Sequence, residues 1–573
     1  MKGNIRFAAA HTLLAMLLFG SQWARAQAPS SAADAVSGRD STPRTELSEV
    51  VVTGTRIAHA TPTSPVITIG RPQIDESGYS SIGQLLLAIP ANFSGGQNPG
   101  VIGARGNNQV TISGAYSANI HGLGADSTLT LLDGHRFAYD AFQNGVDLSV
   151  VPLAAVDRVE VVTDGASAIY GSDAVAGVVN VILKQHYDGV TADARYGDVT
   201  SGHGAQTQYS LLGGHDWASG NALVAYEYAH SDPLFASDRP FAAGAAEPTT
   251  LLPELNRNTG FARLRQQLGD SVTASVDALY TARTDVQIST TGGSIDYIET
   301  SVRQYGISPT VSIDLPGEWT ASLDGTVSHD EDDQTLPTVA AATGAVTRSS
   351  SVSYANDLRL AELHGSGPVV QLPSGPVEVA VGAGYRYERF RNILPPLSTT
   401  PPVDANRNVR FGFVEAQAPL VEPDASRTLL QRFDVNAAFR YERYSDFGGQ
   451  PTPKVGFNYV PSSYLHLRAT WSESFRAPEF FDVVGPKQLY LFPAAPFGGT
   501  AGTTALLAFG ANADLGPEKA RSTTFGFDLL WPERPSFRLT PTYFHIDYDE
   551  RIVEPIDNMA RALSNPHYAP FIT

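Results

Sequence analysis

Ser167 stands in Gly165-Ala166-Ser167-Ala168-Ile169, the setting in which a strand-to-helix elbow presents a serine nucleophile. Ile169 takes the place of the second glycine of G-x-S-x-G, so the elbow is broken and the stretch reads as tight backbone packing. Gly122-Leu123-Gly124 is a lone G-x-G followed by Ala125, Asp126 and Ser127, and no Lys in the chain follows a Gly, so neither a dinucleotide loop nor a Walker A loop is present. The 13 His residues are scattered without an H-E-x-x-H pair, and Cys 0 leaves no thiolate metal site or cysteine nucleophile. The expectation is a protein that is not an enzyme and carries no cofactor and no metal ligands. A secreted hydrolase with an appended β-domain is the weak alternative.

The elements available to such a chain are limited by its composition. Only 17% of the 573 residues are charged, against roughly 25% in soluble domains. With Gly 52 and Pro 38, the chain is poor material for long solvated helices. A net charge of −19 repels phosphate backbones and argues against a nucleic-acid partner. A mean hydropathy of −0.12 excludes a bundle of membrane helices. It does not exclude a β-barrel, in which apolar and polar residues alternate.

Residues 1–26 read as a secretory signal peptide: Lys2 and Arg6 open it, 7–19 is mostly apolar, and Ala24-Arg25-Ala26 fits a cleavage site. An anchor would need roughly 20 apolar residues. Residues 27–45 are Ala, Ser, Asp, Pro and Gly with almost nothing large to pack, and read as a flexible periplasmic linker. Residues 46–56 (ELSEVVVTGTR) form a short β-branched run ended by glycine. A tethered strand of this kind can pair with the sheet edge of another protein; the alternative is an ordinary first strand.

Residues 57–186 alternate helical and strand patterns. Ile82, Leu85, Leu86 and Ile89 share one helical face between a serine cap and Pro90. Residues 129–132 read as a strand entering an Asp133-Gly134 turn, and 159–162 as another strand. Three ordered blocks within this segment, 119–124 (NIHGLG), 131–136 (LLDGHR) and 156–182 (VDRVEVVTDGASAIYGSDAVAGVVNVI), closely resemble the plug of TonB-dependent outer-membrane transporters. The resemblance implies that 46–56 is the TonB-box region, with Glu49, Val50, Val51, Val52, Thr53 and Gly54 pairing with TonB. It makes Arg136, Arg158, Glu160, Gly165, Tyr170 and Gly171 plug-motif residues, and implies ion pairs from Arg158 and Glu160 to a barrel wall, the alternative being a solvated strand face. His121 and His135 become candidates for positions near a lumen.

Residues 187–573 turn to a period of two. Trp319, Ala321, Leu323, Gly325 and Val327 alternate with Thr320, Ser322, Asp324, Thr326 and Ser328; Phe433, Val435, Ala437, Phe439 and Tyr441 alternate with Arg432, Asp434, Asn436, Ala438, Arg440 and Glu442. One apolar and one charged face fit an antiparallel transmembrane β-barrel with a lipid surface and a wet lumen, although a soluble sandwich alternates too. Strand length, the export signal and aromatics near strand ends (Tyr385, Tyr387, Phe390; Tyr441, Tyr444, Phe447) favour the barrel. Residues 467–478 (LRATWSESFRAP) and 512–519 (NADLGPEK) look like late-barrel signatures of the same family. Loops such as 494–513 are expected outside the cell.

About 15–16 strands are apparent, where barrels of plugged transporters have about 22. The end, 565–573 (NPHYAPFIT), is not an alternating strand with a terminal aromatic. The barrel therefore reads as incomplete at its C-terminus and the chain as truncated. The resulting expectation is a plug inside a β-barrel in the outer membrane of a Gram-negative bacterium. It would contact outer-membrane lipid and TonB, and actively transport a small-molecule substrate of the ferric siderophore, cobalamin or oligosaccharide class. The alternatives are a surface receptor or adhesin without transport, and a non-functional truncated transporter.

Overall fold

Leu323 and Val327 are 54% and 51% exposed while Ser322, Thr326 and Ser328 between and beside them are buried. Phe439 and Tyr441 are likewise exposed, and Asn436, Arg440 and Glu442 are buried. This is the inverse of a water-soluble sheet, and it follows from a surface whose solvent is hydrocarbon. In the computed structural model these strands belong to one 16-stranded antiparallel sheet, running in chain order from Gly189–Gly197 to the pair Arg538–Leu539 and Thr542–Asp549. Among the described residues those two ends do not pair with each other. The structure describes residues 53–58, 60–93, 113–141, 145–393, 402–421, 429–485, 488–531, 537–553, 556 and 558–572. Residues 1–49, with the expected signal peptide and linker, lie outside them, as do Val50, Val51 and Val52.

Several strands are longer than a membrane needs: Ser294–Leu315 and Trp319–Ala340 have 22 residues each, against about 9–11 for a tilted crossing. The outward face of Trp319–Ala340 changes from Leu323 and Val327 to His329, Glu331 and Asp333. Glu331 and Asp333 pair outside the sheet with Arg303 at 3.1 and 3.0 Å. At the changeover, Tyr226, Gly260, Tyr280, Tyr305 and His329 stand in register across five neighbouring strands, the position of an interfacial aromatic girdle. Tyr385 and Tyr441 are also exposed on the outer face, but Phe390 and Tyr444, expected with them, are 4% and 3% exposed and face inward. Their even positions put them on the same pleat face as Arg386 and Glu442.

The segment before the large sheet forms a five-stranded sheet of order β1-β4-β5-β2-β3: β1 (Val66–Gly70), β2 (Thr128–Leu132), β3 (His135–Arg136), β4 (Val156–Val162) and β5 (Gly177–Leu183). Only β2 and β5 are parallel. Helix α1 (Arg71–Ser77) follows β1, and α2 (Ile82–Leu87) begins where the Ser81 hydroxyl accepts the Gln84 N–H, with Ile82, Leu85 and Leu86 buried. The turn Asp133-Gly134 has φ of 49° and 80°, the left-handed pair that a two-residue hairpin requires. Every residue of β5 is buried, because this domain sits within the concave face of the large sheet. Strands from Gln206–Trp217 to Thr542–Asp549 reach it with polar side chains, among them Gln208, Arg263, Thr281, Ser328, Asn356, Glu415, Lys454, Thr524 and Tyr548. Connections at one end of the sheet are as short as residues 218–219 and 373–374; at the other they include 232–253 and 477–517. Residues 494–513 contribute to a hairpin, Gln488–Pro493 with Thr504–Phe509.

Candidate functional site

The segment leading out of the expected TonB-box region is held on two sides. Glu160 on β4, 4% exposed, accepts the Thr53 N–H at 2.9 Å and also the Thr53 hydroxyl. Asn180, its register partner on β5, donates to the Thr53 hydroxyl at 3.0 Å. The Gly54 N–H donates to the Tyr170 hydroxyl at 2.9 Å, with Gly54 at φ 107°. On the wall side, Glu415 accepts from the Thr55 hydroxyl at 2.8 Å and the Arg56 N–H at 2.7 Å. The Arg56 guanidinium pairs with Glu362 at 3.2 Å and lies over the rings of Tyr170 and Phe413. Burial raises the Tyr170 phenol above its ordinary pKa, partly countered by Arg56, so Tyr170 remains a neutral hydroxyl against this backbone.

Thr53, Gly54, Glu160 and Tyr170 thus meet in one cluster, whereas Glu49, Val50, Val51 and Val52 lie outside the described residues. Among the described residues Arg158 and Glu160 make none of the expected ion pairs with the wall. Arg158 donates to Glu160 at 2.7 Å, because residues two apart in a strand share a face, and to its neighbour Asp157 at 3.0 Å.

Gly165 and Gly171 lie where the small domain approaches the wall. Lys454 donates to the Gly165 carbonyl at 2.7 Å, to Ser64 Oγ at 2.7 Å and to Asp164 Oδ2 at 3.0 Å, using all three ammonium protons. Asp164 also accepts from Thr470 and Thr524 at 2.7 and 2.9 Å. Burial pushes the Asp164 carboxyl up, but Lys454 and the hydroxyls of Thr470 and Ser64 outweigh it and hold the group below its usual value. A side chain at Gly165 would meet the Ser472 hydroxyl at 2.7 Å, and Gly171, at φ 92°, faces the Glu442 carboxylate. Arg136 is spent inside its own domain, on Asp173 and on the carbonyls of Tyr170 and Ser172. His121 stacks on Phe544 at 3.8 Å, and burial holds its imidazole below the ordinary value. His135 is 3.5 Å from the hydroxyls of Thr310 and Thr326 on the wall.

Above this domain, at the end with the long connections, lies a cavity of about 970 Å³ including the solvent space at its mouth. Its floor is Phe137, Ala138 and Tyr139, and its wall includes Tyr354, Phe390 and Phe480. Tyr354 stacks on Phe390 and Phe390 on Phe480, with centroids 6.5 and 6.3 Å apart. Arg407 lies over Phe480 at 4.6 Å. Arg407 also pairs with Asp446 at 3.2 Å, and the lining carries Asp357, Glu388 and Glu479 beside its arginines, so the surface offers stacked planar faces within a balanced set of charges.

The plug and barrel halves each match a described family. Residues 59–178 match the TonB-dependent Receptor Plug Domain, and residues 318–561 match the TonB dependent receptor-like beta-barrel. The chain belongs to the TonB-dependent receptor family. Its fold is that of solved TonB-dependent receptors at low identity. The siderophore receptor PirA from Acinetobacter baumannii is 16% identical over 84% of this chain and 70% of that one, with a TM-score of 0.62. A mutant of the ferric enterobactin receptor PfeA from Pseudomonas aeruginosa is 16% identical over 85% and 71%, with a TM-score of 0.65. The alcaligin outer membrane receptor FauA from Bordetella pertussis is 14% identical over 88% and 75%, with a TM-score of 0.58.

In this TonB-dependent receptor several residues that hold the plug escape a reading of the sequence. Asp164 lies inside the plug motif, but its partner Lys454 is 290 positions away, and Arg56 meets Glu362 and Glu415 on separate strands. A period-two reading places Lys454, Glu362 and Glu415 on inward faces; it does not say which plug residue each meets.

Proposed function

We propose that this receptor imports a scarce solute of the siderophore class across the outer membrane of a Gram-negative bacterium, with TonB drawing on residues 49–54. The observation that carries the reading is the arrangement of Thr53–Arg56. These residues are bonded to the plug through Glu160 and Tyr170 and to the wall through Glu415 and Glu362. Tension on the preceding residues would act first on those bonds and then on the plug sheet. The ligand would enter from the long-connection end and rest on Phe390 and Phe480, above a plug that closes the lumen. The stacked Tyr354, Phe390 and Phe480 rings support a ligand with planar faces, as in an aromatic metal chelate, and the solved receptors of similar fold include those named for siderophores. No bond in the ligand is made or broken in this scheme.

Uptake and binding of a ferric catecholate chelate by cells carrying the receptor separate the parts of the proposal. Val50→Pro removes a backbone donor needed for strand pairing, so it should bind the chelate and fail to import it. Phe390→Ala with Phe480→Ala should lose binding itself. Undiminished import by Val50→Pro would sink the TonB-driven mechanism, leaving a receptor or adhesin; absence of chelate binding to the unaltered receptor would sink the substrate class.

A further inference from the structure

Asp140 of the plug and Asp330 and Asp332 of the wall strand Trp319–Ala340 each direct one carboxylate oxygen into a common point, the three oxygens lying within 4.8 Å of one another. All three residues are 1% exposed or less. The Asp330 Oδ1 accepts the Ala141 N–H at 2.7 Å, and Ser113 donates to Asp140 at 2.8 Å. Both oxygens of Asp332 and the second oxygen of Asp330 have no hydrogen-bond donor. Among the described residues Arg283 reaches the group, with Nη2 3.7 Å from Asp140, while its Nη1 is given to Asp147 and Ser149. Gln304 stands opposite Asp330 in register; its amide nitrogen is anchored on the Ala138 carbonyl, and its own carbonyl oxygen, fully buried, has no donor.

The Asp332 carboxylate, buried with no hydrogen-bond donor among the described residues, is strongly unfavourable as a charge, and carboxylates at this spacing repel one another. A divalent cation removes both penalties at once. The donors are all oxygen, with no histidine or thiol, which selects a hard ion. Calcium accepts an irregular shell of protein oxygens, whereas magnesium dehydrates reluctantly and usually keeps several waters.

We propose that Asp140, Asp330 and Asp332 form a calcium site, with Gln304 supplying a neutral oxygen, that staples the plug to the barrel wall. Asp140 lies between Ala138 and Ala141, both of which line the cavity, so the ion fixes the height of the cavity floor. The site is independent of which ligand the cavity takes.

The test uses the purified full chain in detergent, stripped with a chelator. Terbium alone is the first probe, because Tyr354 faces Asp332 across the strand pair and can sensitise its luminescence; calcium alone is the second. The expected result is saturable terbium luminescence displaced by calcium, and a thermal midpoint that rises with calcium. The double variant Asp330→Asn, Asp332→Asn should lose both effects without a lower midpoint in chelator, since like charges have been removed. If that variant fails to fold, Asp140→Asn approaches the site from the plug side. A wild-type chain that shows neither terbium luminescence nor a calcium-dependent midpoint overturns the proposal, as does an undiminished response in the variants.

Discussion

The backbone N–H of Thr53 donates to Glu160 Oε2 at 2.9 Å, so the segment that leads into the plug is tied to the plug sheet by a buried carboxylate. Replacing Glu160 with Ala leaves the Thr53 donor unpaired, at a cost of about 1–3 kcal/mol. Trypsin cleavage after Arg56 and amide exchange at Thr53 and Gly54 should both accelerate by about tenfold or more. Unchanged rates would mean that Glu415 and Tyr170 hold the segment without it.

Lys454→Met strands the Asp164 charge in a fully buried site, a change of about 3–5 kcal/mol. Thermal unfolding should show the loss, and adding Asp164→Asn should recover part of it, because the second substitution removes the orphaned charge. Additive losses in the double variant would show that the pair is not coupled.

The pH dependence has a definite sign. Burial opposes ionisation of Asp164, but Lys454, Thr470 and Ser64 prevail and its folded value lies below the ordinary one, about 3.9 in unfolded chains. Its contribution is therefore fully present above the unfolded value and is lost as pH falls through the folded one. The thermal midpoint of the unaltered receptor should fall more steeply below about pH 4 than that of Asp164→Asn. Parallel curves would place the acid sensitivity elsewhere.

Gly171→Ala combines a left-handed backbone, φ 92°, with a side chain directed at the Glu442 carboxylate. A loss of about 1–3 kcal/mol is expected, read as a lower thermal midpoint. Gly134→Ala, at φ 80° with open space around it, isolates the backbone part of that cost. Equal losses at the two glycines would show that Glu442 contributes nothing.

What could be read before folding follows from local periodicity. Period two divides lipid-facing Leu323, Val327, Phe439 and Tyr441 from lumen-facing Ser322, Thr326, Asn436, Arg440 and Glu442, and the same period would have paired Arg158 with Glu160 instead of with the wall. The ordered blocks at 119–124, 131–136 and 156–182 carry the plug, since its turns and close approaches demand particular residues at particular places. Phe390 and Tyr444 line the lumen instead of a girdle, because an aromatic near a strand end faces lipid or lumen according to its parity.

Sequence by itself determined the class of this protein: alternation is a property of neighbours, and a barrel with polar inner and apolar outer faces is written one strand at a time. Tertiary structure alone decided which charges meet. Lys454 finds Asp164, Arg56 finds Glu362, and Asp140 finds Asp330 and Asp332 only when the plug is seated. The angular position of a small domain inside a curved sheet of similar strands depends on their register and curvature, which no local pattern in the chain records.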